Sequence, residues 1–149
     1  FHSVRNALDK VPDGAIVAVH DGVRPLVTPR LVRDMFEKAE TVQSLVPVIP
    51  CTDTLKVLQK EGEELKTVEG VVADRSMLYA AQTPQIFHSE MLKSAYSLAY
   101  DTMFTDDASV MQKYGKSLSY TIGERLNIKI TTQEDLLLAR AVMSLREKV

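Results

Sequence analysis

The sequence predicts a layered α/β domain with a mainly parallel sheet, and three observations carry that reading. Short β-branched runs alternate with segments of helical period, turn or capping residues stand at the junctions, and no linker, repeat or low-complexity tract divides the chain. At 149 residues, 45% hydrophobic and 26% charged, the composition is that of one ordinary globular unit able to bury a core.

The first strand is read over 15–19, where Ala15-Ile16-Val17-Ala18-Val19 follows the turn pair Asp13-Gly14. Its lack of polar alternation predicts burial on both faces. Thr28-Pro29 reads as N-cap and first helical residue ahead of Leu31, Val32, Met35, Phe36, Ala39 and Val42 at helical spacing. A second buried strand covers 44–50. From 52 to 74 the chain turns polar, and Val57-Leu58 and Leu65/Val68 flank Glu61-Gly62, the pattern of a β-hairpin with an exposed tip. An isolated strand pair is marginal in water, so this arm is expected to lean on a second subunit. Beyond it the pattern predicts a short helix over 76–81, a strand over 85–87 and a helix marked by Met91, Leu92, Ala95 and Leu98. Thr105 is read as the cap of a further helix that runs to about Tyr114 and stops at Gly115. Short strands are read at 119–123 and 128–130. Thr131-Thr132-Gln133-Glu134 is read as the capping box of a last helix with Leu138, Ala141, Val142 and Leu145 on its apolar stripe.

Charge narrows the partners. With 18 Lys+Arg against 20 Asp+Glu, the net charge of −2 supplies no basic field for a nucleic-acid backbone or an anionic membrane, so neither is expected as a partner. The lone Cys51 excludes an internal disulfide, and no run of about 18 apolar residues is present to span a bilayer. With no signal-peptide pattern, a reduced, cytoplasmic protein is expected. The chain begins with Phe1 and its six Met are all internal, which reads as an N-terminus other than the native one.

G-x-G-x-x-G, P-loop, H-E-x-x-H, C-x-x-C and G-x-S-x-G patterns are all missing, and the six glycines never cluster into a phosphate cradle. His2, His20 and His88 show no metal-ligand spacing. Polar clusters do fall where an α/β sheet puts its ligand crevice, beyond strand carboxyl ends. In His20-Asp21-Gly22-Val23-Arg24-Pro25, Asp21 could hold a divalent cation and Arg24 an anion, although Asp21-Gly22 also reads as a plain turn. In Thr105-Asp106-Asp107-Ala108-Ser109 both acids suit a helix start, and Thr105 offers a hydroxyl beside free amides. Lys129 in Asn127-Ile128-Lys129-Ile130-Thr131 is either a ligand or the solvent-facing member of an alternation. Arg75, at the base of the arm, has Asp74 as its obvious partner.

Together these segments resemble, in order and spacing, the 2-C-methyl-D-erythritol 4-phosphate cytidylyltransferases of the non-mevalonate isoprenoid pathway. The resemblance also rests on Thr52-Asp53-Thr54-Leu55-Lys56 and Ala81-Gln82-Thr83-Pro84-Gln85-Ile86-Phe87. It implies a Rossmann-like nucleotidyltransferase three-layer sandwich, with residues 1–149 as one N-terminally incomplete domain and 52–74 as a protruding β-arm for homodimerisation. It implies transfer of a cytidylyl group from CTP to the sugar-alcohol phosphate with Mg²⁺, a close alternative being a pentitol phosphate as acceptor. Arg75 and Lys129 would be the catalytic residues that position the sugar phosphate. Asp21, Gly22, Arg24, Thr54, Thr83 and Thr105 would contact substrate, Ser3 the cytidine, and Asp21 the metal. Thr54 and Arg75 would serve the partner's site. Most relatives read His-Asp-Ala-Ala-Arg-Pro where this chain has Gly22 and Val23. They also carry an N-terminal glycine-rich, basic loop for the triphosphate that these 149 residues lack, so these residues alone are expected not to turn over CTP but to associate through the arm.

The chemistry suits this inventory. A phosphate monoester, with a second pKa of about 6, is already an anionic nucleophile at neutral pH and needs no general base. Bringing it against a polyphosphate costs roughly 4 kcal/mol per pair of unit charges at 4 Å and an effective dielectric of 20. Cations and positioning, rather than a nucleophilic side chain, are what such a site needs.

Overall fold

The computed structural model describes residues 1–147, so the last two residues of the expected domain lie outside the described residues. In chain order, α1 (His2–Leu8) leads to β1 (Ile16–Val19), and α2 (Pro29–Ala39) crosses to β2 (Ser44–Pro50). The arm consists of β3 (Leu58–Glu61) and β4 (Glu64–Thr67), followed by a single 3-10 turn at Arg75–Met77, β5 (Tyr79–Ala81) and β6 (Gln85–His88). Then come α3 (Ser89–Ala95), α4 (Asp107–Lys113), β7 (Tyr120–Ile122) and α5 (Gln133–Arg146).

The sheet is five-stranded and mixed, in the order β1-β6-β2-β5, with β7 paired to β2. This corrects the expected mainly parallel sheet: among the described residues only β2 and β7 pair in parallel, and β6 is antiparallel to both β1 and β2. The cause is one returning segment. β5 runs antiparallel along β2 from Pro50↔Tyr79 to Val48↔Ala81, and β6 resumes at Leu45↔Ile86 before spreading to β1. β1 and β2 therefore still point the same way, as the α2 crossover requires.

Successive residues of β6 face opposite sides, and this sets the layers. Ile86 packs with Leu45 under Leu31, Met35 and Ala39 of α2. Phe87 packs on the other face with Leu8, Leu92, Ala95, Val110 and Met111, drawn from α1, α3 and α4. Helices on both faces make the three-layer sandwich, and α5 joins through Leu26, Ala139 and Val142. No helix among the described residues is long and apolar enough to cross a membrane.

The α2 helix starts as its sequence dictates: Thr28 is the N-cap, its hydroxyl accepting from Leu31 N, with Pro29 at the first position. Several other expectations need correction. β1 is not buried on both faces, Ala18 being exposed, because it ends the strand order. Residues 76–81 are not a helix: the open edge of β2 captures Tyr79–Ala81 as β5. Asp106 rather than Thr105 caps α4, in a box with Ser109. Residues 128–130 form no strand and hold to the 20–24 loop by one backbone bond, Ile130 N to Val23 O at 2.8 Å. Thr132 with Asp135, not Thr131 with Glu134, forms the last capping box. On α5, Leu138 and Leu145 stay exposed, since Leu136-Leu137-Leu138 supports more than one stripe and contact with Leu26, Ile128 and Ile130 selects Ala139 and Val142.

The arm matches its pattern. β3 and β4 pair from Leu58↔Thr67 to Glu61↔Glu64, and Gly62, at φ 63°, takes the first central position of a two-residue turn, which favours glycine. All residues of both strands are exposed.

Candidate active site

Beyond the carboxyl end of β1 the chain turns tightly, Arg24 N donating to Asp21 O at 2.9 Å. The turn opens onto a cavity of about 460 Å³ lined by Ser3, Asp21, Gly22, Arg24, Thr83, Thr105 and Lys129, among others. These come from α1, the 20–24 turn, the β5–β6 junction, the entry to α4 and the 127–131 segment, so the cavity gathers five separate stretches of chain.

At its centre Asp21 Oδ2 lies 3.3 Å from Arg24 Nε and 3.3 Å from Lys129 Nζ. The two cations differ in freedom. Arg24, 13% exposed, is anchored by Nη1 donating to Asn127 O at 2.8 Å, whereas Lys129 is 48% exposed and lines the cavity with Asp21 as its ion-pair partner. Two cations against one carboxylate leave a positive excess, which makes this wall an anion seat. Asp21 Oδ1 accepts no hydrogen bond among the described residues.

Asp106 and Asp107 also line the cavity, with both Asp106 oxygens and one Asp107 oxygen committed. Asp106 accepts from Ser109 N and from Gln85 Nε2, both at 2.8 Å. Asp107 accepts from the Tyr96 hydroxyl. Burial, with the Asp106 charge adding to it, pushes the Asp107 carboxyl above the usual carboxylate range, and burial likewise pushes the Tyr96 hydroxyl up.

The structure brings Ser3, Asp21, Gly22, Arg24, Thr83, Thr105 and Lys129 together, but it gives them unequal freedom. Thr83 is nearly buried, and its hydroxyl accepts from Asp21 N at 2.9 Å and meets His20 Nδ1 at 2.9 Å. Its hydroxyl is thus engaged in holding the turn. A Cβ on Gly22 would meet nothing within 4 Å, so the turn has room for the Ala that most relatives carry at this position. Thr105 stands on the rim shared with a larger, apolar cleft of about 850 Å³ lined by Met77, Tyr79, Tyr120 and Ile122.

Thr54 and Arg75 are not brought to this cavity in their own chain. Both are exposed, and Arg75 Nη1 donates to Thr52 O at 3.2 Å. The Asp74–Arg75 pairing does not form either: the Ser76 hydroxyl and N–H bind Asp74 at 2.7 and 2.9 Å and hold its carboxyl below the usual range.

Residue patterns alone missed Gln82, Gln85 and Asn127, which tie the walls together. Gln85 Oε1 accepts from Ala108 N at 2.9 Å, Gln82 Nε2 donates to Glu124 O at 2.8 Å, and Asn127 Nδ2 donates to Thr83 O at 2.9 Å. Each is a polar residue buried beside apolar neighbours, the one signal the sequence carries for them.

Among the described residues no group of three or more His, Cys, Asp or Glu could hold a metal ion. Asp21 offers one carboxylate to an open cavity that Asp106 and Asp107 also line. That fits Mg²⁺, which takes one or two protein carboxylates and completes its shell with phosphates and water.

The family model described as IspD, 2-C-methyl-D-erythritol 4-phosphate cytidylyltransferase, matches residues 1–145. A curated 2-C-methyl-D-erythritol 4-phosphate cytidylyltransferase of Porphyromonas gingivalis is 41% identical over 145 residues, covering 97% of this chain and 62% of the relative. One of Bacillus thuringiensis is 38% identical over 148 residues, covering 98% and 63%. The crystal structure of the Thermus thermophilus enzyme of the same name superposes with a TM-score of 0.77 at 34% identity, over 94% of this chain and 66% of that one. The chain thus spans about 62% of the length of such curated relatives.

Proposed function

This chain belongs to the 2-C-methyl-D-erythritol 4-phosphate cytidylyltransferase family, and from that premise we propose that it supplies the sugar-phosphate side of a site that transfers a cytidylyl group from CTP to 2-C-methyl-D-erythritol 4-phosphate and releases pyrophosphate. The observation that carries the reading is the convergence of Arg24 and Lys129 on Asp21, drawn from segments 103 positions apart at Arg24 and Asn127.

The acceptor phosphate is the nucleophile and attacks the α-phosphorus of CTP. One P–O bond forms, the bond to the β-phosphate oxygen breaks, and pyrophosphate leaves with the electron pair. Lys129 and Arg24 neutralise the approaching anion, and Lys129, exposed and tethered only to Asp21, can swing onto it. Thr105 and Gly22 offer polar contacts, and Ser3, which lines the same cavity, would contact the cytidine. Asp21 Oδ1 is the atom that would hold Mg²⁺, which would supply charge screening between the phosphates.

The rest of the site comes from a second copy. The arm exposes Leu58, Leu65, Val71 and Val72, and the cleft beside Thr105 exposes Met77, Tyr79, Tyr120 and Ile122, apolar surfaces that a monomer leaves in water. In the homodimer the arm crosses over, and its Thr54 and Arg75 complete the partner's pocket. A cytoplasmic setting, in which Cys51 stays reduced, agrees with this chemistry.

The test is the purified gene product with CTP, Mg²⁺ and a panel of 2-C-methyl-D-erythritol 4-phosphate and a pentitol 5-phosphate, followed by pyrophosphate release and by mass of the nucleotide product. Preferred turnover of the methylerythritol phosphate supports the reading. Preference for the pentitol reassigns the acceptor, and no turnover of either overturns it. Light scattering that finds a monomer overturns the shared site.

A further inference from the structure

Behind the Asp21–Arg24–Lys129 cluster four residues close a ring of hydrogen bonds. The Thr83 hydroxyl meets His20 Nδ1 at 2.9 Å, and His20 Nε2 meets Arg24 O at 3.1 Å. Arg24 Nη1 donates to Asn127 O at 2.8 Å, and Asn127 Nδ2 donates to Thr83 O at 2.9 Å, where the ring returns to its start. The tautomer follows from the partners. A carbonyl only accepts, so Nε2 carries the proton, and Nδ1 accepts a hydrogen bond from the Thr83 hydroxyl while that oxygen accepts from Asp21 N–H.

His20 lines the cavity and would ordinarily attract a role as acid or base. Both of its nitrogens are already engaged, one on each side of the 20–24 turn, which is the geometry of a clamp. Asn127 makes the complementary case. It is wholly buried, yet its Oδ1 has no hydrogen-bond partner among the described residues. An unsatisfied buried carbonyl costs stability, so core packing alone does not favour asparagine here. What the residue does is fix Arg24 through its backbone and Thr83 through its amide, two positions before Lys129.

Resting on the transferase reading above, we propose that His20 and Asn127 are positioning residues that preset the Arg24 and Lys129 cations through Thr83 without reacting themselves. A displacement of the order of 1 Å in such a cluster is enough to cost about 10²-fold in rate. Opening the ring at either residue therefore releases the same constraint.

The experiment compares His20→Phe, Asn127→Ala and Thr83→Val, singly and in pairs, in the full gene product, with KM for the sugar phosphate, kcat and thermal midpoint all measured. Each single change is expected to lower kcat/KM for the sugar phosphate by roughly 10- to 100-fold in folded protein. Pairs are expected to be little worse than the worse single, because one open ring cannot be opened twice. His20→Asn, which returns an acceptor toward Thr83, is expected to recover part of the loss. Losses that multiply in the pairs, or kinetics per folded molecule equal to wild type, overturn the proposal. Calorimetric titration of the same proteins with inorganic phosphate separates the two readings. If the wild type turns nothing over but binds phosphate, and the variants weaken that binding, the transferase reading fails and the ring stands. Equal phosphate binding by wild type and variants overturns the ring.

Discussion

In the arm every pairing is local, Leu58 opposite Thr67 and Glu61 opposite Glu64, and no strand residue is buried. In the pocket the bonds that hold the walls bridge 23 positions between Gln85 and Ala108 and 103 between Arg24 and Asn127. The same chain thus builds one half of its proposed site by folding and presents the other half on a ribbon that its own body does not hold. Asp21, Arg24 and Lys129 arrive already placed. Under the proposed function a second copy places Thr54 and Arg75, and the contrast says where stability and where activity should respond to change.

The largest response is expected in the body. Phe87 is wholly buried between the sheet and α3 and α4, and Phe87→Ala should cost about 3–5 kcal/mol in denaturant unfolding. A cost under about 1 kcal/mol, the mean for any substitution, would break the claim that this layer organises the fold. Next is Lys129→Ala, which should lower kcat on the order of 10²- to 10³-fold in the gene product while the unfolding midpoint stays put, since the side chain is half-exposed. Retained turnover would remove Lys129 from the site.

A smaller effect sharpens the pocket side. Burial raises the Asp107 carboxyl pKa, so the folded state holds that proton to higher pH than the unfolded chain does. The linked stability is full below the ordinary carboxylate range and is lost as pH rises through the raised value. Asp107→Asn keeps an acceptor for Tyr96 and cannot ionise. Its thermal midpoint relative to wild type should therefore rise from pH 4 toward pH 8, and a difference independent of pH would contradict the assignment. The smallest effect belongs to the arm: Leu65→Ser should change stability of the dissociated chain by no more than about 0.5 kcal/mol, while weakening self-association in sedimentation.

What was legible in the sequence follows the same division between local and distant causes. α2 and β2 could be read because one carries Thr28-Pro29 and a helical stripe and the other an unbroken apolar run, and both signals are local. The arm could be read because Glu61-Gly62 between short apolar pairs is a local turn signal. β5 could not, since Ser76 to Ala81 satisfies no period decisively and the open edge of β2 decides it. Thr105 against Asp106 as cap is a one-residue choice made by Gln85 and Ser109. In the site, Asp21, Arg24 and Lys129 were legible only through the resemblance of whole motifs, because no spacing rule links the 20–24 turn to the 127–131 segment. The engagement of Thr83 and the roles of Gln85 and Asn127 were not legible, their partners lying on other elements. Buried polar residues beside apolar runs were their only trace.

The proposed site requires one copy's pocket to work with the other copy's arm, and co-expression of Arg75→Ala chains with Lys129→Ala chains tests this directly. Each variant alone should be nearly inactive. Random pairing makes half of the dimers mixed, each with one intact site, so the mixture should recover about one quarter of wild-type turnover. No recovery above the separate variants would mean that Arg75 and Lys129 do not meet across a dimer, and would contradict the shared site.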